Sequence, residues 1–178
     1  MSKKVLIIAT SPRKQGNSNR LVQEFAKGAK DAGNEVEIEY LCDKTINFCK
    51  GCLACQRLKK CVIEDDANEI TEKMRNSEVI VWATPVYYYN MSGQMKTMID
   101  RSNALFATVN KFKDIYLIAC AAENNESAID GTIDSLQGWL DCHSGTILKG
   151  VIKGVGVDNV GAIEGKPILK EAYLLGKT

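Results

Sequence analysis

Residues 4–19 read KVLIIATSPRKQGNSN, an apolar run that changes abruptly into a polar loop. Lys4–Thr10 is continuously apolar, as in a strand that is covered on both faces of a sheet. Ser18 and Asn19 offer capping side chains for an amphipathic helix, which Gly33 would end. A buried strand, a loop and a helix in this order predict the first part of a βαβ unit.

The same alternation of strand and helix continues along the chain. Further strands are predicted at residues 36–40, 79–84, 115–121 and within 146–157, and Pro85 is expected to end the third strand. Further helices are predicted at 93–105, 127–142 and 167–176. A shorter helix would begin at Asp66, with Glu69 completing a capping box. This repeat implies an α/β fold with a parallel sheet and right-handed crossovers.

Composition and charge narrow the classes of function. A chain of 178 residues suits one domain, 1–178. With 23 basic and 22 acidic residues the net charge is +1. This balance gives no sign of the excess positive charge that would attract nucleic acid or an anionic membrane. No apolar run has the length of a membrane span, and the first one lacks a signal cleavage site. We therefore expect a cytoplasmic protein.

The loop after the first strand, residues 10–19 and called the first loop below, is rich in hydrogen-bond donors. It leads into a helix N-terminus, where free backbone N–H groups favour an anion. Hydroxyls, amides and one guanidinium come from Ser11, Arg13, Asn17, Ser18 and Asn19. Neither G-x-x-x-x-G-K-[ST] nor G-x-G-x-x-G occurs in it. A phosphate site is favoured over an ordinary polar turn.

Three adjacent tyrosines follow the third strand, and Tyr87, Tyr88 and Tyr89 cannot all point into one core. A flat aromatic ligand would account for some of these rings, and Asn90 could bond to its polar rim. A subunit interface, where tyrosine is also enriched, is the alternative, and the two can hold together.

Four of the seven cysteines form the cluster Cys49-x2-Cys52-x2-Cys55-x5-Cys61, in a cysteine-rich loop at about 42–63. This spacing can wrap one iron–sulfur cubane. A zinc site usually joins two C-x2-C pairs through a longer spacer, and bare thiols are the third alternative. The other three cysteines are expected to be small core residues: Cys42, Cys120 and Cys142. The only histidine, His143, has no catalytic partner of the Ser-His-Asp type, so we expect a structural role.

Two motifs make a family resemblance specific. They are Ser11-Pro12-Arg13 through Gly16-Asn17-Ser18, and Pro85-Val86-Tyr87 through Ser92-Gly93-Gln94-Met95-Lys96 and Ile99-Asp100-Arg101. Both resemble the NAD(P)H-dependent FMN reductases of the flavodoxin-like superfamily. Within that branch the chain is most similar to the iron–sulfur flavoproteins, and the resemblance covers roughly residues 1–121.

The resemblance implies a three-layer flavodoxin-like sandwich, with a parallel five-stranded sheet in the order 2-1-3-4-5, and bound FMN. The FMN phosphate would lie on the five donors of the first loop. The ring would be held by Pro85, Val86, Tyr87, Tyr88 and Asn90 and flanked by Ala121, Ala122 and Glu123. That flanking loop departs from the Gly- or Thr-rich form of the family. The compact spacing of Cys49, Cys52, Cys55 and Cys61 implies a [4Fe–4S] cluster. Homodimers or homotetramers, with FMN near subunit boundaries, are implied as well.

The function expected on this basis is electron transfer through FMN. Electrons would come from NAD(P)H or a ferredoxin-like donor and pass to a small-molecule or protein acceptor. Because the flavin supplies the redox chemistry, no catalytic side chain is required. The alternatives are an electron-carrier or redox-sensing flavoprotein without its own turnover, and a zinc-stabilised α/β interaction module.

Overall fold

The computed structural model of the protein describes residues 2–106 and 108–178. The strands are β1 (Lys4–Ala9), β2 (Glu35–Tyr40), β3 (Val79–Tyr87), β4 (Asn90–Met91), β5 (Asp114–Cys120) and β6 (Ile147–Gly154). The helices are α1 (Asn17–Asp31), α2 (Ala54–Leu58), α3 (Asp66–Asn76), α4 (Gly93–Arg101), α5 (Asp130–Asp141) and α6 (Ile168–Gly176). No helix within the described ranges has the length and apolar character needed to cross a bilayer.

Five strands form a parallel sheet in the order β2-β1-β3-β5-β6, which confirms the expected topology. The additional strand, β4, has only two residues and pairs antiparallel with the end of β3. Strand β1 lies between β2 and β3, with Ala9 opposite Ala83 at the carboxyl ends of β1 and β3. The order of strands along the chain reverses between these two neighbours. In open α/β sheets, ligands bind beside such a reversal.

Alternate residues of β1 point into two separate cores, which is why the strand is apolar throughout. Leu6 and Ile8 pack with Trp82 under α3, α4 and α5. Val5 and Ile7 pack on the opposite face under α1 and α6. The molecule is therefore a three-layer α/β sandwich, as expected.

Helices α1 and α6 touch backbone to backbone, and two glycines permit this contact. A Cβ atom on Gly28 would lie 2.0 Å from the carbonyl oxygen of Tyr173. A Cβ atom on Gly176 would lie 2.1 Å from the carbonyl oxygen of Phe25. The two glycines thus hold α6 tightly against the helix that begins at the first loop.

Several element ends differ from the predictions. Pro85 does not end its strand, because β3 continues to Tyr87 as one arm of the hairpin with β4. Proline is tolerated at this position because β3 pairs with β1 only as far as Ala83. Beyond Ala83, no backbone N–H of β3 is needed for a hydrogen bond to β1. Helix α4 ends at Arg101, where a 3₁₀ turn continues over 102–105, and α5 begins at Asp130 after a 3₁₀ turn over 126–129. Helix α2, inside the cysteine-rich loop, was not predicted.

Two of the expected helix caps are also wrong. Gly16, not Ser18 or Asn19, is the N-cap of α1, and no side chain caps that end. Asp65, not Asp66, caps α3, because its carboxylate accepts a hydrogen bond from the backbone N–H of Ala67. Because no side chain caps α1, the backbone N–H groups at its start are free next to the first loop.

Candidate functional site

The first loop forms a tight turn at the carboxyl end of β1. The N–H of Gly16 donates to the carbonyl of Arg13 at 2.9 Å, and the hydroxyl of Ser11 bridges the backbone N–H and C=O of Arg13 at 3.1 Å each. Glycine at position 16 permits this close turn, because a Cβ there would lie 2.7 Å from Ser11 Oγ and 3.0 Å from the carbonyl oxygen of Arg13. Since no side chain caps α1, the N–H groups of its first turn remain available to an anion.

A cavity of about 180 Å³, called the loop cavity below, lies where the end of β3 meets the loops after β1, β5 and β6. It is lined by Ser11, Arg13, Gly16, Asn17, Ser18, Pro85, Val86, Tyr87, Cys120, Ala122, Val157 and Asp158. The structure thus brings together most of the predicted first-loop donors and the start of the predicted ring site. The segment after β6 was missed, because Val157 and Asp158 carry no ligand-binding pattern and the resemblance ended before them.

Two of the predicted donors shape the loop instead of being free for a ligand. The side-chain amide of Asn17 donates to the carbonyls of Val157 and Asn159 at 3.2 and 2.9 Å. The amide of Asn19 donates to the carbonyls of Arg13 and Lys14 at 3.2 and 3.1 Å, and Asn19 does not line the loop cavity. These bonds hold the first loop in its turn and join it to the segment after β6.

A buried hydroxyl network fixes the loops after β1 and β3 to each other. The hydroxyl of Thr10 donates to the carbonyl of Ala83 at 2.9 Å and lies 3.1 Å from the hydroxyl of Ser92. The N–H of Ser92 donates to the hydroxyl of Thr84 at 3.0 Å, and Ser92 also caps α4. These hydrogen bonds therefore fix the two sides of the loop cavity relative to each other.

The tyrosine segment is a hairpin turn with an unusual backbone. Tyr87 pairs with Asn90, and the two residues between them, Tyr88 and Tyr89, have φ values of 50° and 60°. Such a turn normally takes Asn-Gly, because bulky residues are strained in the left-handed region. Tyr88 is fully exposed, while the hydroxyl of Tyr89 donates to the Glu123 carboxylate at 3.3 Å. Strain of this kind is retained mainly at functional sites.

The remaining predicted ring contacts lie outside the loop cavity. The amide of Asn90 donates to the hydroxyl of Ser135 at 3.0 Å, and its oxygen accepts from the N–H of Met91 at 2.7 Å. Ala121 is buried, and its N–H donates to the carbonyl of Gly154 at 2.9 Å. Tyr88, Asn90, Ala121 and Glu123 therefore do not line the cavity.

Cys120, expected to be a small core residue, is buried and also lines the loop cavity. Burial raises the pKa of its thiol to about 12, so the group is protonated at neutral pH. Cys42 is half-buried, and Cys142 is exposed, so the expectation of a core position is wrong for Cys142. His143 is buried against Trp139, with ring centroids 4.6 Å apart, which agrees with a structural role. Burial lowers its pKa.

The four clustered cysteines line a second cavity of about 30 Å³, called the cysteine cavity below. They lie in residues 48–62, the cysteine loop, which turns sharply at three left-handed residues: Gly51, Leu53 and Lys59. Two N–H groups point to sulfur, since Gly51 N donates to Cys49 Sγ at 3.4 Å and Asn103 Nδ2 donates to Cys55 Sγ at 3.2 Å. Cys55 and Cys61 are half-buried, whereas Cys49 and Cys52 are exposed.

These donors do not form a site for a single metal ion. Within residues 2–106 and 108–178, no three side chains of the His, Cys, Asp and Glu types are placed to hold one. Zinc requires four sulfurs at bonding distance from one centre, whereas a cubane binds each thiolate through a different iron atom. The described residues therefore show no preformed metal site, and only their donor chemistry, four thiols on one cavity with two N–H groups directed at sulfur, is in keeping with a cluster.

A buried ion pair closes the base of the cysteine loop. The two terminal nitrogens of Arg101 donate to the two carboxylate oxygens of Asp65 at 2.6 and 2.8 Å. The same nitrogens donate to the carbonyls of Asn47 and Ile63 at 2.7 and 3.1 Å. Burial opposes ionisation of Asp65, but the Arg101 guanidinium and the N–H groups of Asn47 outweigh it and lower the pKa of the carboxyl to about 2.

The chain matches known proteins over most of its length. The profile of the NADPH-dependent FMN reductase family matches residues 3–152. An iron–sulfur flavoprotein of Methanosarcina thermophila is 34% identical over 151 residues, which cover 83% of this chain and 77% of that protein. An iron–sulfur flavoprotein of Methanocaldococcus jannaschii is 34% identical over 144 residues, which cover 79% of this chain and 73% of that protein.

Solved structures share the architecture. The NAD(P)H:quinone oxidoreductase from Methanothermobacter marburgensis superposes with a TM-score of 0.74 at 17% identity, over 99% of this chain and 98% of that one. An azoreductase from Bacillus anthracis superposes with a TM-score of 0.70 at 16% identity, over 99% of this chain and 97% of that one. At such identities the likeness establishes the flavodoxin-like fold alone.

Proposed function

Because the chain belongs to the NADPH-dependent FMN reductase family, we propose that it carries electrons through FMN from NAD(P)H or a ferredoxin-like donor to a small-molecule or protein acceptor. We propose further that Cys49, Cys52, Cys55 and Cys61 hold a [4Fe–4S] cluster. The observation that carries the flavin part is the uncapped N-terminus of α1, which lines a cavity at the carboxyl ends of β1 and β3.

The loop cavity offers what one terminal phosphate needs. Gly16 brings the backbone within reach, Ser11 supplies a hydroxyl, and the first turn of α1 supplies free N–H groups. The exposed guanidinium of Arg13 adds a charge-assisted donor at the edge of the cavity. We expect these groups to bind and orient the phosphate, while Asn17 and Asn19 keep the loop in shape.

The ring of the flavin would lie beyond the phosphate, against Pro85, Val86 and Tyr87. FMN, when bound, supplies the hydride and electron chemistry of the reaction. The side chains position the ring and limit the access of water. The protonated thiol of Cys120, at the floor of the cavity, adds no charge there.

The cluster proposal rests on the shared cysteine cavity and on the N–H groups directed at sulfur. Hydrogen bonds to the sulfurs and limited solvent access are among the factors that set the potential of such clusters. A cluster would exchange single electrons, whereas flavin accepts two from NAD(P)H, so the pair would connect these two kinds of transfer.

The identity of the cofactor tests the flavin part. We expect protein purified without oxygen to release FMN on denaturation, because the first loop suits one phosphate and lacks dinucleotide glycines. Chromatography of the released cofactor against FMN and FAD standards makes the measurement. FAD as the main species would contradict the proposal.

Steady-state kinetics distinguishes an enzyme from an electron carrier that has no turnover of its own. Oxidation of NAD(P)H with added quinone, ferricyanide or free flavin supports the enzyme, and reduction that stops after one equivalent of FMN supports the carrier. A colourless protein that contains zinc would instead support the zinc-stabilised interaction module.

A further inference from the structure

Arg101, at the end of α4, is a fully buried cation, and all four of its hydrogen bonds lie at the base of the cysteine loop. Its bond to Asn47 lies just before that loop, and its bonds to Ile63 and Asp65 lie just after it. A guanidinium has a rigid, planar fork of donors, so these bonds fix the separation of the two ends. The base is therefore closed independently of whatever the loop contains.

The same side chain also reaches the cysteines. Arg101 lines the cysteine cavity together with all four of them. The Nε–H of Arg101 is buried and forms no hydrogen bond within the described residues. An unused donor on a buried cation is costly unless a group in the adjoining cavity accepts from it.

We propose that Arg101 is the positioning residue of the iron–sulfur site: its fork closes the cysteine loop so that four thiols share one cavity, and its charge lies on the wall of that cavity. This inference rests on the proposed cluster. Asp65 neutralises Arg101 overall but does not line the cavity, so the positive end of the ion pair is the end next to the thiols. A positive end near a ligand sulfur favours the more negative, reduced form of the cluster. Arg101 would therefore hold the reduction potential higher than an uncharged residue would.

The test compares Arg101→Gln, Arg101→Lys and Arg57→Gln. Arg57 lies in α2 inside the cysteine loop and is exposed, so its variant removes the same charge without the buried contacts. The first measurement uses FMN-bound protein without metal and follows alkylation of single cysteines by mass spectrometry. Cys120, which is buried in the core on the α1 and α6 side of the sheet, is the internal reference for an intact fold.

In Arg101→Gln we expect Cys55 and Cys61 to react about tenfold faster, because loss of the fork lets the loop open. The reactivity of Cys120 and the affinity for FMN should not change, and Arg57→Gln should match the wild type. In the second measurement, after anaerobic reconstitution, Arg101→Gln should hold less iron, and any cluster it retains should have a lower potential. Arg101→Lys keeps the charge but not the fork, so its cysteines should still react faster, while its potential stays closer to that of the wild type.

Wild-type reactivity of Cys55 and Cys61 together with wild-type iron content in Arg101→Gln would overturn the inference. If Arg101→Gln fails to fold and loses FMN, Arg101→Lys takes its place. Wild-type reactivity of Cys55 and Cys61 together with wild-type iron content in Arg101→Lys would then overturn the inference. Failure of the cluster itself looks different, because the wild type would then take up no stoichiometric iron, while alkylation would still report how Arg101 positions the loop.

Discussion

Arg13 stands at the edge of the loop cavity, and the contact found for its guanidinium is a long bond of 3.4 Å to the carbonyl of Asp158. Its charge is therefore available to a phosphate. We expect Arg13→Ala to weaken FMN binding by about ten- to a hundredfold, since a charge-assisted bond contributes roughly 1.5–3 kcal/mol. Fluorescence titration at matched ionic strength measures this. Lys14→Ala is the control, because Lys14 pairs with Asp43 and does not line the cavity. Equal affinities of wild type and Arg13→Ala would remove Arg13 from the site.

Residue type predicts the place of the site better than the role of each residue in it. Donors and aromatic rings are concentrated where parallel strands end, which is visible in the sequence. Asn19 shows the limit: its amide marks it as a ligand, yet the fold uses it to hold the carbonyls of Arg13 and Lys14. Arg101 is the opposite case, because nothing in its neighbours along the chain indicates a partner 36 residues away at Asp65.

The cysteine loop is an element whose four thiols should behave as one unit. Replacing any one of Cys49, Cys52, Cys55 and Cys61 with Ala should abolish iron and sulfide in anaerobic preparations, because an open iron site breaks down. FMN should remain, since it would bind to other loops. Replacing Cys142 with Ala is the matched control and should preserve the iron. Iron and sulfide analysis makes the measurement, and a wild type without stoichiometric iron after reconstitution would refute the expectation.

The contact of α1 with α6 gives a prediction about stability. We expect Gly28→Ala to lower the free energy of unfolding by about 1–3 kcal/mol, because its Cβ would meet a backbone oxygen that cannot move alone. Gly138→Ala in α5 is the control: nothing lies within 4 Å, so the helix should gain about 0.5–1 kcal/mol. Urea denaturation measures both. A Gly28→Ala protein as stable as the wild type would show that the helices can separate freely.

Elements with strong periodicity are predictable, and those created by tertiary contacts are not. The buried strands and the amphipathic α1 follow from their apolar patterns. The hairpin of β3 and β4 does not, because a Tyr-Tyr turn breaks the usual Asn-Gly rule and Pro85 normally ends a strand. Helix α2 has only five residues and lies between cysteines, so its pattern is too short to detect.

At the scale of the whole molecule, large apolar side chains are exposed near the cysteine loop. Phe48 and Leu53 are 80% and 58% exposed, and Leu53 and Phe106 line one cavity of about 610 Å³. Exposed apolar side chains that lie close together are typical of an interaction surface. We propose that it is covered by a second copy of the chain, in a homodimer or homotetramer.

Light scattering at micromolar concentration tests this assembly with FMN bound. We expect a dimer or tetramer for the wild type and a shift toward monomer for Phe48→Ser, which removes apolar area from the interface. Leu174→Ser is the control, because Leu174 is similarly exposed but lies on α6, in the opposite layer. A wild-type monomer would contradict the proposal, and so would equal effects of the two substitutions.

The closure of the cysteine loop by Arg101 has a consequence for how such a chain can be modified. Of the residues that the structure describes, none between 48 and 62 belongs to either hydrophobic core, while the two ends of this segment are tied to one side chain. The segment is thus a loop that lies outside both cores, and Arg101 holds its two ends together. We therefore expect that segments of other lengths and compositions can replace residues 48–62 without redesign of the sheet.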